Sequence, residues 1–432
     1  MGATLSGCGG DGGSGGFGGN PGGGGGTPLG YRFIPLANAG GVLPRSNILA
    51  KGTEEATPFL GAVMINDRRH VCFHAVDANE LKGLYEVDYN TSGQTSPVKH
   101  LLREGDVLPD GTVVSDFSGG YLNNQDELVV VVTDPSSRST LEVARDLGQF
   151  QPRFKDYQSV SPTCVLDGDM QPEVGLADNG DLLFICGGKD ADGDSLGEVL
   201  YYCPRDVAAD TVKLMGENDL LPGTNCVVRT MGCCEIGRGG NYLVQGSAAT
   251  TESGNALEGD TTSGLCYLAT GRVGESPEVL AADPSLGISG AVQGQVNMAA
   301  RLGDGGCAFV CQTNPDKTQL YLNKTKLLEA DLNGTGGSLS PRGRKILSML
   351  PPVFGPNGLI LVEVFTQAGC ELLSYNGSTF TTILGTGDNV EGKTVNMILF
   401  GCMPHSVNAF GEFVIVVEYT DGESAILLGI PV

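Results

Sequence analysis

The stretch Asp178-Asn179-Gly180-Asp181-Leu182-Leu183-Phe184 places a polar turn directly before a short apolar strand. Asn, Asp and Gly suit such a turn, because they adopt a positive φ at low cost or hydrogen-bond to their own backbone. Similar units recur at intervals of roughly 50–65 residues along the chain. The other six lie near Ile65, Leu122, Ile236, Gly303, Pro356 and Ala409. A unit that recurs at this spacing indicates a repeat architecture.

Each unit continues with a hairpin loop and a second apolar strand, as at residues 83–87 and 199–202. A third strand then runs into a Gly/Asp turn, as at residues 98–109. Four short antiparallel strands per unit are typical of a propeller blade. We therefore predict an all-β fold, a seven-bladed β-propeller with four-stranded antiparallel blades. Six or eight blades, or several separate β-domains, are the alternatives.

The two ends of the chain complement each other. The seventh unit ends after a strand at residues 424–430 and lacks its outermost strand. Residues 31–44 resemble residues 98–109, including the final Val-Leu-Pro. The N-terminal strand is therefore expected to complete the last blade and close the ring. This divides the chain into a tether (1–30) and one propeller domain (31–432), with a closing strand in 31–57 and repeats in 58–432.

The repeat resembles that of bacterial exported proteins with tandem Asn-x-x-Gly-x-x-Ala-Phe motifs and varied surface anchors. The stretch that begins at Asp178 is the closest match, and Asp304-Gly305-Gly306-Cys307-Ala308-Phe309 keeps the Ala-Phe end. The resemblance covers the chain from about residue 58 onward, and the second and fourth units depart from the motif most. It implies export, a propeller-like fold and attachment to the cell surface. It implies no established activity, so it assigns no catalytic residues.

The N-terminus contains a candidate lipid anchor. Leu5-Ser6-Gly7-Cys8 matches a bacterial lipobox, which predicts lipidation of Cys8 and makes the membrane a partner. The Gly-rich residues up to Gly26 cannot bury enough apolar surface to fold, which is typical of a flexible tether. Only seven residues precede Cys8, fewer than a signal peptide needs. A trimmed lipoprotein, an uninformative tail and N-myristoylation of Gly2 remain the alternatives.

The net charge and the cysteine content limit which partners and which cellular compartment are expected. A net charge of −24 disfavours nucleic acid, which requires a basic surface, and indicates solubility through mutual repulsion, with acid-lined cation sites as the alternative. The chain has 13 Cys, and setting Cys8 aside leaves an even number, which suits disulfides. Cys186 and Cys203 flank one hairpin and form the candidate pair. The alternative is that these cysteines are buried free thiols.

Two groups of residues are candidate binding sites. Asp190, Asp192 and Asp194 alternate in one loop, where three carboxylates could bind calcium, although the loop does not match an EF-hand and also reads as a polar hairpin turn. Among the four His, His405 of the last blade could approach His70 of the first across the ring closure. Such a pair would need a third group to form a metal or catalytic site.

These features favour a non-enzymatic module for binding, display or adhesion, presented at a bacterial cell surface or outside the cell, with an unknown glycan or protein ligand. An extracellular propeller hydrolase or lyase and a structural subunit of a surface assembly are the alternatives. The sequence contains no Gly-x-Ser-x-Gly elbow in a strand-to-helix context and no phosphate loop. Carboxylates and histidines that converge at the channel mouth would favour the enzyme. An acid-lined channel without convergent groups would favour binding.

Overall fold

The computed structural model describes residues 30–49, 57–161, 164–205, 210–250, 265–296, 298–303, 306–400 and 405–432. Cys8 and the predicted tether lie outside these residues. The described residues form strands, turns and three short 3-10 turns, at Arg238–Gly240, Pro284–Leu286 and Pro356–Gly358. None of the helices in the described part of the chain is long and apolar enough to cross a membrane.

The strands form seven separate sheets, numbered here in chain order. Sheets 1 and 2 contain β2 (Phe59–Ile65), β3 (His70–Val76), β4 (Lys82–Asp88), β5 (Lys99–Arg103), β6 (Asp116–Leu122), β7 (Leu128–Thr133), β8 (Ser139–Ala144) and β9 (Phe150–Lys155). Sheets 3 and 4 contain β10 (Ser159–Ser161), β11 (Cys164–Leu176), β12 (Leu182–Asp190), β13 (Ser195–Cys203), β14 (Val212–Gly216), β15 (Cys226–Ile236), β16 (Asn241–Thr250), β17 (Leu265–Arg272), β18 (Glu278–Ala282) and β19 (Val292–Gln293).

The remaining strands belong to sheets 5, 6 and 7. Sheets 5 and 6 contain β20 (Arg301–Gly303), β21 (Gly306–Asn314), β22 (Lys317–Leu322), β23 (Thr325–Asp331), β24 (Ile346–Met349), β25 (Val353–Phe354), β26 (Ile360–Thr366), β27 (Gly369–Tyr375) and β28 (Phe380–Gly385). Sheet 7 contains β29 (Asn389–Val390), β30 (Lys393–Leu399), β31 (Phe413–Tyr419), β32 (Ser424–Pro431) and β1 (Tyr31–Asn38). Four of the sheets thus carry a fifth strand beyond the predicted four, and in each of them it is a strand of two or three residues (β10, β19, β25 and β29).

Strand β1 is the outermost strand of sheet 7 and pairs antiparallel with β32. Arg32 lies opposite Ile430 and Ile34 opposite Leu428. Pro35 fits this position because an edge strand has one row of amides that need no partner strand. The first and last described strands therefore belong to one sheet.

The apolar core runs from sheet to sheet. Six clusters of buried side chains each span two or three consecutive sheets. One of them joins Val414 and Ile426 of sheet 7 to Val71 and Phe73 of sheet 1. Neighbouring sheets cover both faces of the central strands, so these strands can be apolar on both faces. Strand β7, for example, has the sequence Leu-Val-Val-Val-Val-Thr, and five of its six side chains are buried. Sheets that share a cluster are therefore packed face to face through apolar side chains.

The predicted disulfide between Cys186 and Cys203 is wrong. The two residues lie on neighbouring strands, but Cys186 is opposite Val199 and Cys203 is opposite Leu182. A four-residue offset at about 3.3 Å per residue separates them far beyond the reach of a disulfide. All eleven described cysteines are free thiols, and most of them are buried. They act as small apolar core residues.

Candidate functional site at the channel mouth

A cavity of about 480 Å³ lies where the seven sheets meet. Sheets 1 to 6 contribute residues at or just after the end of β2, β6, β11, β15, β20 or β25, and sheet 7 contributes residues between β30 and β31. Its lining includes Ile65 and Asp67 of sheet 1, Asn124 of sheet 2, Leu176 and Asp178 of sheet 3, Glu235 and Ile236 of sheet 4, Leu302 and Gly303 of sheet 5, Phe354 and Gly355 of sheet 6, and His405 and Val407 of sheet 7. The cavity is therefore a concave site built from the turns of the repeat.

Six of these turns close in the same way, which defines equivalent positions in six sheets. The backbone N–H of the first turn residue donates to the carbonyl oxygen four residues later. The residues in this position are Asn66, Asn123, Ala177, Gly237, Gly355 and Asn408. In sheet 5 the turn is shorter, because Gly303 pairs directly with Gly306. Sheets 7, 1 and 2 thus carry an asparagine where sheets 4 and 6 carry glycine.

The three asparagines form a ladder between neighbouring sheets, called here the asparagine ladder. The Nδ2 of Asn408 donates to the carbonyl oxygen of Asn66 at 3.4 Å. Asn66 Nδ2 donates in turn to the carbonyl oxygen of Asn123 at 3.1 Å, and Asn123 Nδ2 to that of Ala177 at 3.0 Å. Asn66 and Asn408 also accept backbone N–H bonds from their own turns, so both ends of each amide are used. The contact from sheet 7 to sheet 1 thus repeats the contact from sheet 1 to sheet 2.

A second row of bonds connects the next turn residues. The N–H of Ala409 donates to Asp67 Oδ1 at 2.6 Å, and the N–H of Asp67 donates to Asn124 Oδ1 at 2.8 Å. The N–H of Asn124 donates to Asp178 Oδ1 at 3.1 Å. The equivalent residue of sheet 6 is Pro356, which has no N–H to donate to sheet 7. This row therefore runs from sheet 7 to sheet 3 and cannot begin one sheet earlier.

Close packing explains the glycines of sheets 5 and 6. A Cβ at Gly303 would lie 2.4 Å from the Phe354 ring, and a Cβ at Gly355 would lie 2.8 Å from Leu359. Neither position leaves room for a side chain. The rim of the cavity is therefore backbone and apolar side chain on this side, and amide and carboxylate on the other.

The cavity is acidic. Asp67, Asp178 and Glu235 line it, and the described lining contains no Lys or Arg. Burial raises the pKa of Glu235 to about 7, although Arg301 and a hydrogen bond from the Leu302 N–H oppose that shift. Burial lowers the pKa of His405, so this imidazole is neutral at pH 7. The cavity thus favours ligands with hydrogen-bond donors or positive charge.

The structure does not bring His70 to this cavity. His405 lines it, whereas His70 lies at the start of β3 and hydrogen-bonds through Nδ1 to Glu86. That hydrogen bond raises the pKa of His70. The approach of His405 to His70 remains a prediction. A binding role for either remains a prediction.

Two groups of possible metal ligands have different surroundings. Ligand atoms of His70, Glu86 and Asp88 lie within 4.8 Å of one another, but Lys99 Nζ is already 3.3 Å from Glu86 and 3.2 Å from Asp88. In the predicted calcium loop, Asp190 Oδ1 accepts the N–H groups of Asp192 and Asp194 at 3.0 and 2.9 Å. Among the described residues, Asp190, Asp192 and Asp194 do not bring three carboxylate oxygens within 4.8 Å of one another. The loop forms a polar hairpin turn, and calcium binding by it remains a prediction.

Sequence reasoning missed Asp67, Asp178 and Glu235 as a group. The signal for the first two was present, because both lie next to the first turn residue of their repeat unit. Glu235 precedes its turn at the end of β15, and nothing in its neighbours distinguishes it. Aligning the turns by position would have separated the asparagine turns from the glycine turns, but it would not have shown that they surround one cavity.

Comparisons with known proteins give the fold alone. No family model matches the chain, and no curated protein matches it. Among solved structures, the β-propeller domain of the Trilobed protease from Pyrococcus furiosus is 10% identical and has a TM-score of 0.43, with 78% of this chain and 86% of that chain covered. A lectin from Burkholderia pseudomallei is 8% identical with a TM-score of 0.41, covering 86% and 97%. A putative gluconolactonase is 12% identical with a TM-score of 0.35, covering 76% and 94%. The chain described here is an all-β propeller.

Proposed function

We propose that the seven sheets are the blades of one ring, and that β1 closes this ring by completing the seventh blade. Two observations support the proposal. The apolar cluster between sheets 7 and 1 resembles those between the other neighbours, and the asparagine ladder crosses from Asn408 to Asn66 as it does from Asn66 to Asn123. A closed ring leaves no unpaired end and holds the cavity rim rigid.

The ring serves as a non-enzymatic binding module, and the channel mouth is its ligand site. The observation that carries this proposal is the cavity of about 480 Å³ with three carboxyl groups and no Lys or Arg among its described lining. Asp67 and Asp178 accept backbone N–H bonds from neighbouring sheets, so they are held in place rather than free to transfer protons. The ligand is a glycan or protein segment that carries amino groups.

Presentation at a bacterial cell surface, through a lipid on Cys8 and the Gly-rich tether, completes this proposal. Both features lie outside the described residues and rest on the sequence alone. Mass spectrometry of the protein from its native membrane tests the anchor, because a lipidated Cys8 has a distinct mass. An unmodified Cys8 in membrane fractions would rule the lipid out.

The binding test compares a cationic and a neutral ligand of the same backbone. Isothermal titration with a glucosamine oligosaccharide is expected to give saturable heat, and its N-acetylated equivalent is expected to bind at least about tenfold more weakly, a difference of about 1.4 kcal/mol. Asp67→Asn removes a charge but keeps the Oδ1 acceptor, as Asn124 does in sheet 2. This variant should weaken binding of the cationic ligand about tenfold.

Asp134→Asn is the matched control, because Asp134 Oδ1 also accepts turn amides but lies in an exposed hairpin of sheet 2. It should bind like the wild type. Equal affinity of the two oligosaccharides, or an Asp67→Asn variant that binds normally, would show that the acidic mouth does not select the ligand.

One observation favours an enzyme as the second candidate. Glu235, with a pKa of about 7, and His405 line the same cavity, and a carboxyl with such a pKa is suited to general acid–base work. A propeller hydrolase or lyase would use Glu235 to protonate a leaving group or to abstract a proton. Glu235→Gln would then abolish release of product from an extracellular polymer while ligand binding persists. Binding without product release in the wild type would favour the module over the enzyme.

A further inference from the structure

A cluster of possible metal ligands lies on sheet 1, outside the lining of the channel mouth. His70 of β3 is directly opposite Asp88 of β4, and Cys72 is opposite Glu86. Alternate residues of a strand point to the same face of a sheet, so His70, Glu86 and Asp88 share one face. Cys72 is on this face too and packs in the apolar cluster that joins sheet 1 to sheet 2. The three possible ligands therefore face sheet 2.

These side chains have the chemistry of a zinc site. One ligand atom from each of His70, Glu86 and Asp88 lies within 4.8 Å of the other two. An imidazole nitrogen with two carboxylate oxygens suits zinc and similar transition metals, whereas calcium takes about six to eight oxygens. Three protein ligands leave one position of a tetrahedral ion open to water.

Lys99 holds the place that a metal ion would take. Its Nζ is 3.2 Å from Asp88 Oδ2, and it is 3.3 Å and 3.4 Å from the two oxygens of Glu86. An ammonium that forms one good bond to a carboxylate lies at about 2.7–2.9 Å, so Lys99 is shared among three oxygens and held closely by none. The Lys99 side chain is also 52% exposed, so it can move into solvent. The two carboxylates are therefore arranged around a cation that can be replaced.

The second ring nitrogen of His70 has the surroundings of a metal-bound imidazole. Nδ1 is hydrogen-bonded to Glu86, and Nε2 lies 4.0 Å from Asp126 Oδ1 of sheet 2. Histidines that bind metals commonly direct their other ring N–H towards a carboxylate, which fixes the ring and its tautomer. Asp126 is held in turn by Asn66 at 2.7 Å and by Arg68 at 2.7 Å. Sheet 2 thus supplies an outer carboxylate that keeps Nδ1 turned towards Glu86.

We propose that His70, Glu86 and Asp88 form a binding site for a divalent transition-metal ion such as zinc. The ion binds Nδ1 of His70 and one oxygen of each carboxylate, while Lys99 moves into solvent. The His70 ring moves slightly away from Glu86 to admit the ion, and Nε2 carries the ring proton towards Asp126. The bound ion ties β3 to β4 beside the turn that enters the asparagine ladder. This site is separate from the ligand site proposed at the channel mouth and does not depend on it.

Isothermal titration of zinc chloride into the full chain tests the site, and saturable binding is expected. His70→Gln removes the nitrogen ligand and should abolish this binding. Asp88→Asn should weaken it at least about tenfold, since even the outer partners of a metal contribute that much. Lys99→Gln removes the competing ammonium and should strengthen zinc binding about fivefold. Calcium chloride under the same conditions should give no saturable heat.

Lys324→Gln is the matched control for Lys99→Gln, because Lys324 pairs with a single carboxylate, that of Glu278, in an exposed contact. It should leave zinc affinity unchanged, which separates the local site from the effect of net charge.

Circular dichroism shows whether His70→Gln is folded. If it is not, Asp88→Asn and Lys99→Gln decide, because both of these side chains are more than one-third exposed. The proposal would be overturned if the wild type showed no saturable zinc binding, or if calcium bound as tightly as zinc. Equal zinc affinity in the wild type, Asp88→Asn and Lys99→Gln would also overturn it, because the ion would then be held elsewhere, for example by cysteine thiols.

Discussion

Two arcs of the molecule surround the channel mouth with different chemistry. In the first arc, sheets 7, 1, 2 and 3 are joined by the amides of the asparagine ladder. In the second arc, sheets 4 and 6 carry glycine as the first turn residue, and in sheet 5 Gly303 lies at the end of β20 and lines the cavity. The same fold therefore accommodates two ways of joining neighbouring sheets, one through side-chain amides and one through close backbone packing.

The second arc replaces the amides with buried carboxylates. Glu235 Oε2 accepts the N–H of Leu302 at 3.0 Å, which links sheet 4 to sheet 5, and Glu363 Oε2 accepts the N–H of Phe400 at 3.0 Å, which links sheet 6 to sheet 7. At the boundary between the arcs, Glu198 Oε2 accepts the N–H of Met231 at 2.7 Å. Burial raises the pKa of all three carboxyls. Asparagine amides do not titrate, so pH should act on these carboxylate links and not on the asparagine ladder.

The largest effect is expected from breaking the first arc at its centre. Asn66 is buried and makes four hydrogen bonds, two within its turn and two to Asn123 and Asp126 of sheet 2. Asn66→Ala leaves these partners unsatisfied and should lower the free energy of unfolding by about 4 kcal/mol. Denaturant titration followed by circular dichroism measures this change.

Asn90→Ala is the control for this substitution. Asn90 forms the same turn, since its Oδ1 accepts the N–H groups of Ser92 and Gln94, but it is exposed and has no bond to another sheet. A loss of about 1 kcal/mol is expected there. Equal losses for the two variants would mean that the ladder adds nothing beyond the turn.

The second arc is tested by pH. Glu235 has a pKa of about 7 in the folded chain against an ordinary value of 4.5, so the folded state holds a proton that the unfolded chain releases between these values. The contribution of Glu235 to the unfolding free energy is therefore fully present below pH 4.5, and it decreases as the pH rises towards 7. At 1.36 kcal/mol per pKa unit, the loss is about 3 kcal/mol at most. Glu235→Gln should gain that much stability relative to the wild type between pH 4.5 and 8.

Denaturant titrations at pH 4.5 and 8 measure the difference. Glu80→Gln, which alters an exposed carboxylate, should change the unfolding free energy equally at both pH values. If the effect of Glu235→Gln on the unfolding free energy does not depend on pH, this result would contradict the raised pKa of Glu235. The link from sheet 4 to sheet 5 would then be as insensitive to pH as the asparagine ladder.

The contrast between the arcs shows how much of the fold and of the candidate site could be predicted from the sequence. The turn before each apolar strand correctly predicted an all-β propeller, and the match of residues 31–44 to residues 98–109 predicted the pairing of Arg32 beside Ile430. The cavity could not be predicted, because its rim is set by how seven distant turns meet. Cys186 and Cys203 failed as a pair for a related reason, since alternation along a strand does not fix the register of its neighbour.

The smallest effect is expected where the second arc is tightest. Gly303→Ala would place a Cβ 2.4 Å from the Phe354 ring, so the ring must move, and the unfolding free energy should fall by about 2 kcal/mol. Gly216→Ala is the control, because its new Cβ would meet only the flexible end of Lys213 at 2.8 Å, and a change within about 0.5 kcal/mol is expected.

Because Phe354 lines the channel mouth, Gly303→Ala should also weaken ligand binding there, whereas Asn90→Ala should not. An unchanged stability in Gly303→Ala would mean that the glycine side of the rim yields easily, and that close packing does not distinguish the two arcs.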